Sequence, residues 1–313
     1  MDPWLRLSRL PGIGPKTLWK LHAASAARSC AVWQLLNDPA GMVPDRDVAR
    51  VRALLSEQDT AALSEEMAAL QNRGVTLLHP DHAEYPTGVS ARGPEVGLPP
   101  LLYAHGHLPI ARSQGVAIVG SRTVEPDGVE FATKLASDVA AEGVNVVSGY
   151  ARGVDMAAHT GALRAGGTTT IVLGLGILNF AAKSEIRPLL SATNTLVLSQ
   201  FHPRAAWLAR NAMARNKLVC ALSRALVVVE SGPELDEQGR ASGTFDTAKT
   251  ALHMDIPVFV LSPRALQHPP PGNAALIGMG CRELFKEEAA AQIREVLEST
   301  SASREFNPQT ATF

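Results

Sequence analysis

Cysteine is scarce in this chain: Cys30, Cys220 and Cys281 are the only three among 313 residues, and no two form a CxxC pair. That spacing suits reduced core thiols and argues against a disulfide framework or a zinc site. No apolar run reaches the length needed to cross a bilayer, and the N-terminus lacks a basic segment followed by an apolar one. A soluble, cytoplasmic protein without metal or cofactor is therefore expected, with no membrane partner. Charged residues make up only 19% against 46% hydrophobic residues, the balance of a packed globular chain. The first strand-to-turn junction also has no GxGxxG, which removes the main sign of a nicotinamide cofactor.

One further absence is local. No acidic residue occurs between Glu185 and Glu230, while Arg187, Arg204, Arg210, Arg215, Lys217 and Arg224 all fall in that interval. With a net charge of -1, bulk electrostatics cannot coat the protein on nucleic acid. The interval reads either as a solvated basic face or as a patch facing phosphates.

The positive signal is centred on Gly115 to Ala165. Val116-Ala117-Ile118-Val119 breaks into Gly120-Ser121-Arg122 ahead of a helical pattern from about Asp127 to Glu142. Val144 to Val147 leads likewise into Ser148-Gly149-Tyr150-Ala151-Arg152-Gly153-Val154-Asp155, and a second helix carries Asp155, His159 and Leu163. Strand ends that break into small residues and arginine present backbone N–H groups to an anion. Further strands near 168–173, 194–199, 225–229 and 256–261 alternate with helices. This implies an α/β fold with a parallel, doubly wound sheet of extended Rossmann-like type, with ligands bound beyond the carboxyl ends of the strands. Ser242-Gly243-Thr244, before another helix, adds a further N-terminal anion cradle.

Residues 1–75 read as a small helical domain, its last helix running through Leu54, Leu63 and Leu70. Its Leu10-Pro11-Gly12-Ile13-Gly14-Pro15-Lys16 resembles the hairpin of helix-hairpin-helix and SAM-like domains, so Gly12, Gly14 and Lys16 are candidate DNA contacts; a plain helix-helix turn explains the glycines equally well. Residues 76–110 read as an extended, proline-rich connection with a candidate edge strand at Leu101-Leu102-Tyr103. Residues 111–298 form the main domain, Glu287 to Leu297 its terminal helix, and 299–313 a disordered tail.

The ordered series of motifs resembles the DNA-processing protein A family, also called Smf. It comprises Tyr85-Pro86, Pro99 to Tyr103, Val119 to Arg122, Ser148 to Asp155 with Ala158-His159, Arg215-Asn216-Lys217, Val229-Glu230, Ser242-Gly243-Thr244 with Thr247-Ala248, and Gly272-Asn273. The resemblance covers roughly residues 80 to 280. It implies a Rossmann-like fold behind a SAM-like domain, binding of single-stranded DNA, protection of incoming DNA in transformation, delivery of the strand to the RecA recombinase, and a homodimer. Three departures mark a divergent member. Lys217 stands where the family has arginine, the usual Pro-Gly step after the 256–261 strand is missing, and no counterpart of a C-terminal winged helix is expected.

The site residues that follow are Gly120, Ser121, Arg122, Ser148, Gly149, Arg152, Asp155, Arg215, Asn216, Lys217, Ser242, Gly243 and Thr244. Trp207 and Phe201 flank arginines and could stack bases, core packing being the simpler role for Phe201. His159 reads as a hydrogen-bonded structural residue. The leading function is non-catalytic DNA binding. The alternatives are a nucleotide-cleaving enzyme using Glu230 or Asp155, although its Pro-Gly-Gly loop is missing, and a DNA-independent interaction module in a defence system.

Overall fold

The computed structural model describes residues 2–37, 45–113 and 115–305. Five helices come first: α1 (Pro3–Ser8), α2 (Pro15–Ala27), α3 (Val32–Asn37), α4 (Asp45–Ser56) and α5 (Thr60–Asn72). The expected helix through Leu54, Leu63 and Leu70 is two helices, because the Asp59 carboxylate accepts from the Ala61 N–H and starts α5 afresh. These helices bury Trp4, Leu21, Leu35 and Leu70 against one face of the sheet, where Leu77, Tyr103, Ile171 and Val197 meet them. The Arg9 guanidinium links Glu66 on α5 to the Tyr103 hydroxyl, both at 2.6 Å. Burial pushes that phenol up to about 12.

Nine strands form one sheet among the described residues, in the order β1-β2-β6-β5-β4-β3-β7-β8-β9. They are β1 (Val75–Leu78), β2 (Leu102–Gly106), β3 (Gly115–Val119), β4 (Asn145–Ser148), β5 (Thr169–Val172), β6 (Thr195–Ser199), β7 (Ala225–Val228), β8 (Val258–Leu261) and β9 (Arg282–Leu284). β3 to β9 pair in parallel, and β2 runs antiparallel between β1 and β6. The Leu101–Tyr103 run is thus one strand in from the edge, which β1 supplies. Every residue of β3 to β8 is buried, as expected for strands covered on both faces.

Alternate side chains serve the two layers. Val116, Ile118, Val146 and Val227 pack beneath α7 (Pro126–Ala141), α8 (Val154–Arg164) and α12 (Ala289–Glu305). Ala117, Val119, Val147, Leu226 and Val228 face the layer of α6 (Thr87–Val96), α9 (Ala209–Ala221), α10 (Gly243–His253) and α11 (Pro271–Gly278). Helix α6 corrects the reading of 76–110 as extended. Its segment holds Pro94 and two glycines, which lower helix propensity, but Gly88 lets the backbone close onto the Ala221 carbonyl of α9, so packing overrides propensity. Helix α12 continues to Glu305, through the first part of the expected disordered tail; the rest of that tail, 306–313, lies outside the described residues.

Two buried polar side chains fix the loops at the carboxyl end of the sheet. Asn273 Nδ2 donates to the Val229 and Leu261 carbonyls at 2.8 and 2.9 Å, and its Oδ1 accepts from the Ser231 N–H. His159, fully buried on α8, donates from Nε2 to the Gly149 carbonyl at 2.6 Å, with Nδ1 2.7 Å from the Thr169 hydroxyl. The structural role read for His159 therefore holds, and it orients the loop after β4.

Burial holds the His159 imidazole below the usual histidine value, outweighing the Gly149 carbonyl and Asp155, which favour the cation. The unfolded chain then takes up a proton near pH 6.5 that the folded chain refuses, so this contribution weakens stability as pH falls through that value. His22 and His79 are shifted the same way by burial. Urea midpoints should fall between pH 7.5 and 5.5, and His159→Gln should flatten that slope. An unchanged slope would exclude His159 as a contributor.

Candidate nucleic-acid interface

The switch point of the sheet lies between β3 and β7, where the chain passes from one half of the sheet to the other. A cleft of about 640 Å³ opens there, beyond the carboxyl ends of these strands. Its walls are the loop after β3 (Gly120 to Thr123), the face of α9 (Ala212, Arg215, Asn216) and the start of α10 (Ser242 to Thr244). A smaller pocket of about 220 Å³ adjoins it, lined by Tyr150, Arg152 and Lys183, and shares Arg122, Trp207 and Arg215 with the cleft.

Two glycines are required by close approach. A side chain at Gly120 would run into Val154, and Gly153, at φ +77°, lies against the Ser121 carbonyl. The loops after β3 and β4 are thereby locked together, with the Val154 N–H donating to the Ser121 carbonyl at 3.3 Å.

The helix N-termini are not equivalent. The Glu125 N–H at the start of α7 donates to buried Glu230, whose carboxyl is raised above the usual range by burial. At the start of α8, Asp155 accepts from the Ala151 N–H at 3.1 Å. Carboxylates of the protein thus stand at both anion cradles expected after β3 and β4 without filling them: in the first turn of α8 the Asp155 and Met156 N–H groups take no partner among the described residues. At α10, the Ser242 hydroxyl caps the Phe245 N–H, and the N–H groups of Gly243 and Thr244 take no partner among the described residues. That terminus faces the cleft and is free to meet an anion.

Arg215 crosses the floor. Its Nη2 is 3.3 Å from Asp155 Oδ2, both side chains are less than a tenth exposed, and the guanidinium fills the space where Gly149 lacks a side chain. Its buried Nε has no hydrogen-bond partner among the described residues. Arg122 and Arg152 are exposed, without a carboxylate in ion-pair reach among the described residues. Burial, with Arg152 and Arg122 nearby, holds the Lys183 ammonium below the usual lysine value despite Glu185 and Asp155. Arg122, Arg152, Lys183 and Arg215 therefore concentrate positive potential at one place on a chain that is nearly neutral overall.

Of the residues expected from the sequence, Gly120, Ser121, Arg122, Asp155, Arg215, Asn216, Ser242, Gly243 and Thr244 line the cleft, and Arg152 lines the adjoining pocket. Ser148 lies beneath it, its hydroxyl donating to the Ile118 carbonyl at 2.6 Å. Gly149 supports Arg215 from below. Lys217 does not join them: two positions along α9 from Arg215, it lies on the other side of the helix, and its Nζ donates to the Val96 carbonyl at the end of α6. The acid-free interval is not one patch either. Arg187 caps the Ala182 carbonyl, and Arg224 precedes β7 at the opposite end of the sheet. In the hairpin, Gly12 adopts φ +69° and its carbonyl accepts from Arg50, while Gly14 opens α2 and Lys16 is exposed; these three stand apart from the cleft lining. Lys183 and Tyr150 were not singled out as site residues. Lys183 precedes Glu185 and so fell just outside the acid-free run. Among the described residues no group of His, Cys, Asp or Glu could hold a metal ion, and no helix is long and apolar enough to cross a membrane.

Known proteins share this fold. DNA processing protein A from Streptococcus pneumoniae superposes with a TM-score of 0.71 at 26% identity, over 92% of this chain and 95% of that one. DNA processing protein A from Helicobacter pylori, described by its single-stranded DNA binding mode, superposes with a TM-score of 0.56 at 26% identity, over 71% of this chain and 96% of that one. Protein Smf from Synechocystis sp. is 30% identical over 265 residues, 82% of this chain, which spans 63% of that protein's length. The family model described as DNA recombination-mediator protein A matches residues 76–299, and the chain belongs to that family.

Proposed function

We propose that this chain binds single-stranded DNA with little sequence preference, its sugar-phosphate backbone running through the cleft, and that it turns no nucleotide over. The observation that carries this reading is the open N-terminus of α10 facing Arg215 and Arg122 across the cleft. Backbone N–H groups and arginine forks recognise phosphate oxygens without reading bases. A crevice at a strand-end switch point admits a flexible single strand more readily than a rigid duplex. The Helicobacter pylori relative, described by such binding, supports the same assignment. The finer role implied by family membership belongs to this proposal: protecting incoming DNA during transformation and delivering it, as a homodimer, to RecA in the cytoplasm.

Both carboxylates that a nucleotide-cleaving enzyme would use are already engaged. Glu230 is turned to α7, and Asp155 holds Arg215 and the Ala151 N–H. Neither is paired with a nucleophile and an orienting base, the arrangement hydrolysis needs.

Affinity for a single-stranded oligonucleotide should fall steeply with salt and exceed that for duplex. Arg122→Ala should weaken binding by about 1 to 3 kcal/mol and reduce the slope of log affinity against log salt by about one. Lys217→Ala and Lys16→Ala should each cost much less. If folded Arg122→Ala binds like the parent while Lys16→Ala does not, the hairpin and not the cleft holds the DNA. Nucleoside monophosphates and NAD incubated with the protein should emerge intact from chromatography; enzyme-dependent release of free base would replace this reading with the enzymatic one.

A further inference from the structure

Trp207 is 52% exposed, whereas Trp4 and Trp19 are buried at 2% and 5% and Trp33 packs partly buried against the helical core. A half-exposed indole leaves apolar area in water that burial would stabilise. Its position is not a loose loop tip. The Gly176 N–H and Asn179 Nδ2 both donate to the Ala205 carbonyl, at 2.8 and 3.0 Å, and the Leu178 N–H donates to the Pro203 carbonyl at 3.0 Å. Asn211 Nδ2 donates to the Ala206 carbonyl, and Leu208 is the N-cap of α9. The backbone that presents the indole is therefore fixed before any ligand arrives, so little ordering entropy is lost on binding. The ring lines both the cleft and the adjoining pocket, and the Arg122 guanidinium carbon lies 5.7 Å from the ring centroid.

We propose that the Trp207 indole is a stacking shelf for one nucleobase of a bound single strand, with the phosphates on either side held in the two cavities that flank it. The inference rests on reading the cleft as a single-strand site and adds to it the recognition of the base. Arg122 serves both halves: it lies against the ring and turns its charge to the phosphate. Stacking suits binding without sequence preference, because every base offers a π-face. Phe201, partly buried after β6, takes no part in the shelf.

The test uses the full chain and two probes with the same number of phosphates, an oligothymidylate and an abasic oligonucleotide. The parent should prefer the oligothymidylate by roughly ten- to hundredfold. Trp207→Ala should collapse that ratio toward one, and Trp207→Phe should keep most of it. Tryptophan emission of the parent should be quenched by oligothymidylate and far less by the abasic strand, and this difference should vanish in Trp207→Phe. A preference retained by Trp207→Ala, or equal losses on both probes, overturns the shelf. Thymidine monophosphate quenching at the same concentration as the oligonucleotide would also overturn it, in favour of a free-nucleotide site. Failure of the underlying reading looks different: the parent would then hold the abasic strand without salt dependence, and Arg122→Ala would hold it equally well.

Discussion

The buried pair of Arg215 and Asp155 is the contact on which the carboxyl end of the sheet depends. It joins α9 to the first turn of α8, and it requires glycine at 149 because the guanidinium lies in that space. Asp155 also accepts from the Ala151 N–H, so one carboxylate both shapes the loop and holds the arginine. Desolvating two ions costs free energy that their attraction alone does not guarantee to return, so such a pair is weak evidence of stabilisation. Its consequence is positional: an arginine is held rigid at the base of a cleft with Nε still unpartnered among the described residues, and Arg122, Arg152 and Lys183 stand around it, Lys183 donating to the Tyr150 carbonyl.

Anion specificity then arises from which helix ends are left open. Three helices begin near the carboxyl ends of β3, β4 and β7, and each carries a partial positive charge at its start. Glu230 accepts the Glu125 N–H at the first and Asp155 places its carboxylate in the first turn of the second, while α10 keeps Gly243 and Thr244 available. Glu230 also explains Gly128: a side chain there would meet its carboxylate.

Much of this was legible in the sequence. The strand runs 116–119, 145–148 and 225–229 are fully buried and rich in valine and isoleucine, so their length and the glycines and serines that end them sufficed to identify a parallel sheet. Helix α6 was not legible, because Pro94 and its glycines carry the opposite local signal and only the Ala221 carbonyl beneath Gly88 reveals why they are tolerated. The split between α4 and α5 was hidden by a continuous apolar stripe, although Asp59 is a recognisable N-cap. At the site, residue types beside strand ends were found, yet the engagement of Glu230 with α7 joins residues more than a hundred positions apart and leaves no local trace.

The basic interval shows why linear charge density is a poor guide to a surface. Residues 215 and 217 are two positions apart on a helix, which separates their side chains by about 200° of rotation. If Arg215 points into the cleft, Lys217 must point away, and it does, toward the end of α6. Arg224 is separated from the cleft by the sheet's own direction, since residues before a parallel strand and residues after it lie at opposite ends, and Arg187 is taken up by the Ala182 carbonyl. Conversely, Arg122, Arg152 and Lys183 come from three different loops and form no run at all, but each follows a strand, and the parallel sheet brings all strand ends to one side. The field at the cleft is set by topology, not by composition, and so a chain with a net charge of -1 can hold four cations around one crevice.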